Sequence, residues 1–423
     1  MLDIKKIIQN PEYFIKKLET KNVEASTINN LVRLSQKRGS AIHKAEKLKF
    51  LLNNESDLIK AISDKNEKAK AIEKLQTIKA EQKYLQEEAN RLDKELEEII
   101  IRIPNVQLDI VPVGKDENDN VVVYRQAAEN RLLKTLDVSH YEIAEKFDII
   151  DFKRAIRMSG TRFILYKGEG AKLVRALQNY MLDFHEKNGY EEYIVPVMVN
   201  PEMLFGTGQL PKFEEDLFKL NSNHYLIPTS EVSLTNIYNN EIIDLTKSKK
   251  LTAYSDCFRS EIGSGGKDNH GIIRMHQFRK VEMVKITSQE LAEVEFNSMV
   301  ENAKAMLLEL EIPFQQLLLS TGDTGFSSQI TYDFEIWLPS EKRFRETSSV
   351  SWMGDFQARR ANIRYRNNEG KTEFAHTMNG SGMAIDRIMA VLIEQGYDAE
   401  KNIITIPKIL VPYFGKDSIK LQD

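Results

Sequence analysis

One cysteine, Cys257, stands among 423 residues. A single thiol excludes an internal disulfide and any zinc site built from several cysteines, and it fits a reducing compartment. Long apolar runs are missing too: none approaches the ~18 residues of a membrane-spanning helix. The opening segment, Met1-Leu2-Asp3-Ile4-Lys5-Lys6, places an acid at once and lacks the apolar stretch of a secretory leader. The expectation is a cytoplasmic protein with no membrane partner. Charge of one sign is not in excess. Lysine and arginine total 59 against 63 aspartates and glutamates, a net charge of −4. A nucleic-acid partner must therefore be met by a local basic patch. No strand leads into a phosphate loop ending Gly-Lys-Ser/Thr, and no internal repeat stands out.

Helix breakers are absent over one long stretch. Proline is missing from residues 12–103 and glycine from 41–113, which predicts long helix. The apolar spacing sharpens this. Ala71, Leu75, Ile78, Gln82, Leu85, Ala89, Leu92, Leu96, Ile99 and Ile103 step by four and three. An earlier set, Leu34, Arg38, Ala41, Ala45, Leu48, Leu52, Glu55, Ile59 and Ile62, keeps the same steps with two polar interruptions. A 3-4 spacing gives each helix one coiled-coil seam. The polar break Ser63-Asp64-Lys65-Asn66 predicts the turn of an antiparallel hairpin whose helices are each on the order of 45 Å long. Arg33, Lys37, Arg38, Lys44, Lys47 and Lys49 load the first helix with positive charge. Such a run suits either a solvated coiled-coil face or an RNA backbone.

Pro104 ends the hairpin, dividing the chain into an arm at 1–103 and a second domain at 104–423. The second domain changes to short β runs, predicted at 163–166, 193–199, 225–227, 253–259, 275–286, 314–319, 332–338 and 344–351. Helices are predicted at 171–187, 288–310, 355–362 and 382–395. Consecutive strands without intervening helices argue for an α+β fold, an antiparallel sheet flanked by helices.

The densest chemistry runs from Thr252 to Lys285. A strand ending Cys257-Phe258-Arg259-Ser260-Glu261 meets the glycine-rich loop Gly263-Ser264-Gly265-Gly266-Lys267-Asp268-Asn269-His270-Gly271. A second strand then carries Arg274, His276, Phe278, Lys280 and Glu282. Alternation puts His276, Phe278, Lys280 and Glu282 on one face, and Arg259 with Glu261 on a face of the strand before. A flat ring, cations and carboxylates so placed can stack an adenine, hold a phosphate and bind an ammonium group. The same residues also suit a plain surface hairpin. Pro228-Thr229-Ser230-Glu231 offers hydroxyls and a carboxylate, or a helix N-cap. Arg345-Glu346-Thr347-Ser348-Ser349 offers oxygens for a hard cation such as Mg²⁺, or an edge strand. Asn379-Gly380-Ser381-Gly382 runs toward Arg387 in the first turn of a helix. The helix dipole favours acids there, so a cation in that turn points to an anionic partner.

Taken together, these segments resemble the seryl-tRNA synthetases, a family of class II aminoacyl-tRNA synthetases. The likeness runs through the hairpin arm, Phe205-Gly206-Thr207-Gly208-Gln209-Leu210-Pro211-Lys212-Phe213, the two-strand segment, Thr321-Gly322-Asp323, Asp355-Phe356-Gln357-Ala358-Arg359-Arg360 and the final Gly-Ser-Gly…Arg. The resemblance implies activation of serine by ATP to seryl-adenylate, then transfer to the 3′-terminal adenosine of a serine tRNA. It implies catalytic roles for Arg259 and Arg387, one on the α-phosphate and serine carboxylate, the other on the terminal phosphate. The ATP site it implies comprises Arg259, Ser260, Glu261, Phe278, Glu346, Thr347, Ser348, Ser349 and Arg387, with Glu346 and Ser349 holding Mg²⁺. The serine pocket it implies comprises Thr229, Ser230, Glu231, Arg259, Glu282, Asn379 and Ser381. Arg33, Lys37, Arg38, Lys44, Lys47 and Lys49 become contacts to the tRNA variable arm, and Glu191 to Asn200 resembles the family's dimer segment, implying a homodimer. The chain departs from the family pattern in four places. Trp352 replaces a small amide at the expected pocket wall. Lys267 and His270 stand where arginines are common, Ser233 replaces a proline, and Asp386 replaces a small residue. The other histidines, His43, His140, His185, His224 and His376, show no ligand spacing.

Overall fold

The computed structural model describes residues 1–60, 62–126, 133–262 and 270–421. The glycine-rich residues 263–269, Lys267 among them, lie outside the described residues. The chain forms two compact units, Met1–Val106 and Gln107–Asp423.

In the first unit, short helices α1 (Ile4–Gln9) and α2 (Pro11–Glu19) precede two 36-residue helices, α3 (Ala25–Lys60) and α4 (Lys65–Ile100). At ~1.5 Å per residue each long helix spans roughly 54 Å. Asp64 opens α4 by accepting the N–H groups of Asn66 and Glu67, both at 2.9 Å, as an N-cap should. The predicted seam is the buried one: Leu34, Ala41 and Ala45 on α3, Ala89, Leu92 and Leu96 on α4. Its polar interruptions are paired across the hairpin. Arg38 meets Asp93, and Glu55 meets Lys74 at 3.4 Å. Exposed pairs of this kind are worth at most ~1 kcal/mol, so they fix register more than stability.

The second unit is built on an eight-stranded sheet. Its strands are β1 (Val121–Gln126), β2 (Glu191–Glu192), β3 (Lys249–Phe258), β4 (Gln277–Thr287), β5 (Phe314–Leu318), β6 (Ile330–Leu338), β7 (Arg343–Gly354) and β8 (His376–Ala384). Their spatial order is β1-β5-β6-β7-β8-β4-β3-β2. Every pairing is antiparallel except that of β2 with β3. Helices α5 (Gly168–Lys187), α6 (Ala292–Glu309), α7 (Phe356–Ala361) and α8 (Ile385–Gly396) surround it. One sheet face sends Val281, Met283, Phe334, Ile336, Val350 and Met378 into a core with Leu177 and Met181 of α5, Phe296 and Met299 of α6, and Ile388 and Met389 of α8. Burying one such side chain contributes ~1.5–3 kcal/mol, so this face anchors the sheet. The alternate residues of β4, β6 and β7 are left to the other face, where the polar chemistry collects.

Several sequence expectations are corrected. Residues 163–166 form no strand; Tyr166 makes one isolated bridge to Ile150. The 193–199 run reduces to the two-residue strand Met198–Val199, with β2 lying just before it. Arg274 and His276 precede β4, and Arg259 and Glu261 follow the end of β3. Glu261 has φ +52°, a left-handed turn, so strand alternation does not place that pair. Gly382 lies on β8, not in a helix, and α8 begins at Ile385. The glycines concealed β8, because glycine is a poor strand former. Packing demands one here: a Cβ at Gly382 would sit 2.3 Å from His185 Nε2.

Candidate active site

Two register shifts shape the polar face. Along a regular strand, Glu346 and Ser349, three residues apart, would face opposite sides. A bulge between Glu346 and Ser348 restores the match, so Glu346 pairs with Glu335 and Ser349 with Asp333. Such a bulge re-aims side chains. A second shift, between Ser381 and Met383, leaves Ser381 opposite Glu282.

Glu346, Ser349, Asp333, Glu335 and Asp323 line a cleft of about 690 Å³, with Arg274 and Arg387 on its wall. Burial and the neighbouring Glu346 carboxylate push Asp333 well above the usual aspartate range. Glu335 is raised by the same two causes, burial first, although Gln315 donates to it at 2.6 Å. Carboxylates crowded this way call for a cation. Among the described residues no three His, Cys, Asp or Glu side chains form a metal cage on their own.

A narrower hollow adjoins the cleft and shares Arg274, Glu346 and Arg387 with it. Arg259, Glu261, Phe278, Lys280, Thr347 and Ser381 also line it. Arg259 and Arg387, 128 positions apart in sequence, thus face one space. The Arg259 guanidinium lies 5.0 Å from the Phe278 ring centre. Arg274 donates to Glu261 Oε2 at 2.7 Å. Arg387 donates to the Glu346 carbonyl at 2.6 Å, and its Nη1 lies 3.6 Å from the Glu346 carboxylate. Asp386 accepts the Arg279 N–H at 2.7 Å and the Tyr166 hydroxyl at 2.8 Å. An acid in place of a small residue therefore ties the start of α8 to β4.

A third hollow holds Glu231, Asn379, Ser351 and Gln357. Gln357 Nε2 donates to Glu231 at 2.6 Å while its Oε1 accepts from Thr377 at 2.7 Å. Burial, then the nearby Glu282 carboxylate, raises Glu231 to about 7. Glu282 is fully buried, ion-paired with Lys280, and accepts from Asn379 Nδ2 at 3.1 Å. The Oδ1 of Asn379 is buried without a hydrogen-bond partner, as is the Ser230 hydroxyl.

Not every expected residue converges. The Ser260 hydroxyl donates to the Glu215 carbonyl at 2.6 Å, and that of Ser348 to the Ser381 carbonyl at 2.6 Å. Both therefore serve the backbone. Thr229 accepts the Glu231 N–H at 3.2 Å, opening the short helix Glu231–Thr235. Thr229 and Ser230 line none of the three hollows. Trp352 turns to the core face, 5.9 Å from Phe296 and 5.8 Å from His376, ring to ring. It is not the expected pocket wall; Ser351 and Met353 line the hollow instead. On α3, Arg38 is engaged with Asp93. At ~100° per residue, Arg33, Lys37, Lys44 and Lys47 share an arc of roughly 80°, which excludes Arg38 and Lys49. Sequence reasoning passed over Asp333, Glu335 and Gln357, which line the cleft and the third hollow; Lys280, expected on the face with Phe278, lines the narrower hollow. The polar-apolar alternation of Asp333-Phe334-Glu335-Ile336 carried the signal for the first two.

Comparison with known proteins accords with this geometry. Residues 1–107 match the seryl-tRNA synthetase N-terminal domain, and 212–396 the tRNA synthetase class II core domain (G, H, P, S and T). A serine–tRNA ligase of Mycoplasmopsis agalactiae is 55% identical, over 99% of this chain and 100% of its own. One from Mycoplasma mobile is 47% identical, over 99% and 100%. Among solved structures, seryl-tRNA synthetase from Pyrococcus horikoshii complexed with ATP superposes with a TM-score of 0.94 at 31% identity, covering 100% of both chains. The cytoplasmic serine–tRNA ligase of Naegleria fowleri in complex with AMP gives 0.90 at 25%, covering 100% of this chain and 99% of that one. With identity at this level across its whole length, the chain belongs to the seryl-tRNA synthetase family.

Proposed function

We propose that this chain ligates serine to the 3′ end of serine tRNA, using ATP and passing through seryl-adenylate. The observation that carries the reading is the shared hollow: Arg259 and Arg387 face one space with Phe278 and Glu261, and a further hollow is lined by the buried Glu231 and by Asn379. In this reading the adenine lies on Phe278 with its edge toward Glu261. Arg259 bridges the α-phosphate and the serine carboxylate, and Arg387 takes the terminal phosphate. Serine's carboxylate oxygen attacks the α-phosphorus and pyrophosphate leaves. A hydroxyl of the terminal tRNA adenosine then attacks the acyl carbon and AMP leaves. No protein nucleophile is required; catalysis rests on positioning and on cations placed where charge builds.

Mg²⁺ fits the donor set. It accepts one or two carboxylates and completes its shell with phosphate oxygens and water, and Glu346 with Ser349 would hold it on the acid-lined cleft. There it would neutralise charge on the phosphates. Serine is selected because its hydroxyl can donate to Asn379 Oδ1, which is buried without a hydrogen-bond partner, while Glu231 takes the ammonium group. A substrate without the hydroxyl leaves a buried group unpaired, at a cost of about 1–3 kcal/mol. Threonine is opposed by the volume of its methyl.

The basic row Arg33, Lys37, Lys44 and Lys47 supports tRNA binding through the arm. A homodimer through Glu191 to Asn200 is supported by Ile194, which is 98% exposed, and by Met198 beside it. The test is transfer of labelled serine to serine tRNA transcripts by the purified chain. Charging of serine tRNA and not of a tRNA lacking the long variable arm is the expected outcome; absence of charging with both rejects the proposal.

A further inference from the structure

A buried histidine–carboxylate pair lies behind the nucleotide hollow, outside every role assigned above. His140 and Glu394 are 3% and 0% exposed. His140 Nδ1 lies 3.0 Å from Glu394 Oε1, and its Nε2 receives the Ile272 backbone N–H at 3.2 Å. The two bonds fix the tautomer. A carboxylate can only accept, so Nδ1 carries the proton; an amide N–H can only donate, so Nε2 offers its lone pair. The segment so held, Gly271 and Ile272, follows the glycine-rich residues 263–269 in sequence. Gly271, at φ +84°, has no room for a side chain, since a Cβ would lie 2.3 Å from His140 Nε2. Tyr141 packs on His270, ring centres 6.3 Å apart. Directly after this seat come Ile273 and Arg274, which line both the hollow and the cleft.

Glu394 also reaches the other wall. It accepts the Ser340 N–H at 2.8 Å and the Ser340 hydroxyl at 2.7 Å. Ser340 sits in the turn joining β6 to β7, the strands that carry Asp333, Glu335, Glu346 and Ser349. One carboxylate therefore ties the adenine-side segment to the acid-bearing hairpin.

We propose that His140 and Glu394 are positioning residues for nucleotide binding. Through Ile272 and Ser340 they set the spacing between Arg274 and the Glu346 hairpin, and they do not act on the serine pocket. A glutamine at 140 can reproduce both bonds, amide oxygen to Ile272 and amide nitrogen to Glu394; a leucine can make neither. In His140→Leu the KM for ATP in serine-dependent pyrophosphate exchange should rise at least about tenfold, for the loss of both buried side-chain hydrogen bonds, with the KM for serine unchanged. His140→Gln should stay near the unmodified protein. Ser340→Ala, a milder change, should raise the ATP KM about threefold. Equal damage in the Gln and Leu variants, a parallel rise in both KM values, or an unchanged ATP KM in Ser340→Ala would each overturn the proposal. The inference rests on the nucleotide reading, so amide hydrogen exchange at Ile272 is followed without ligand. It should be slow in the unmodified protein and in His140→Gln, and at least about tenfold faster in His140→Leu or, if that variant does not fold, in Glu394→Gln. Uniform exchange across the folded variants would overturn the seat itself, whereas an unmodified protein lacking exchange activity would reject only the nucleotide reading.

Discussion

At the scale of single residues, Glu231 links electrostatics to substrate choice. Burial and the neighbouring Glu282 raise it to about 7, above its unfolded value, so the folded chain holds its proton more tightly. That contribution to stability is complete below the unfolded value and is lost as pH rises through about 7. Binding an ammonium group prefers the ionised carboxylate. The KM for serine should therefore fall as pH climbs from about 6 to about 8, while a Glu231→Gln variant shows a flat, weaker profile; steady-state exchange across that range checks both. Arg259→Ala should lower adenylate formation at least about a hundredfold, the scale expected when one charge-stabilising donor is removed, with little change in thermal stability because the guanidinium rests on a ring at the edge of the hollow. Much of this was legible in the sequence. Arg259, Glu261, Phe278 and Arg387, singled out from their types and order, line one hollow. The shared orientation of Glu346 and Ser349 was not, because only a bulge makes three-apart residues face one way. Gln357 was hidden inside a motif whose separate residues had no evident task until Glu231 was seen beside it.

At the scale of elements, the arm helices were the most readable part, since a 3-4 seam over many turns leaves one burial solution. Even the polar seam positions resolve, as Arg38 and Glu55 each meet an opposite charge on α4. β8 was the least readable. Its Asn-Gly-Ser-Gly core has almost no strand propensity and exists because β4 and β7 pair on either side of it. Packing at Gly382 makes the point testable. Gly382→Ala would drive a methyl against His185 and the Val281 carbonyl, both buried. Overpacking of this kind costs on the order of 1–3 kcal/mol, so the melting temperature should drop and Ser381 should lose its place opposite Glu282. An unchanged melting temperature would show that this strand tolerates what its geometry forbids.

At the scale of the whole molecule, the proposed function assigns the two units separate tasks. Among the described residues, Met1–Val106 carries the basic row and no residue of the three hollows, while all of the hollow-lining residues fall in Gln107–Asp423. Deleting residues 31–103 should leave serine-dependent exchange intact and abolish tRNA charging. Replacing Arg33, Lys37, Lys44 and Lys47 together by alanine should weaken tRNA binding and flatten its salt dependence, as filter binding at several salt concentrations would record. Loss of exchange and charging together on deletion would contradict this division. The central claim, that ATP and serine meet in the space between Arg259, Arg387 and Glu231, is tested most directly by pyrophosphate exchange with each of the twenty amino acids in turn. Exchange with serine far above every other amino acid is the predicted result; exchange with none, or a preference for a different amino acid, would contradict it.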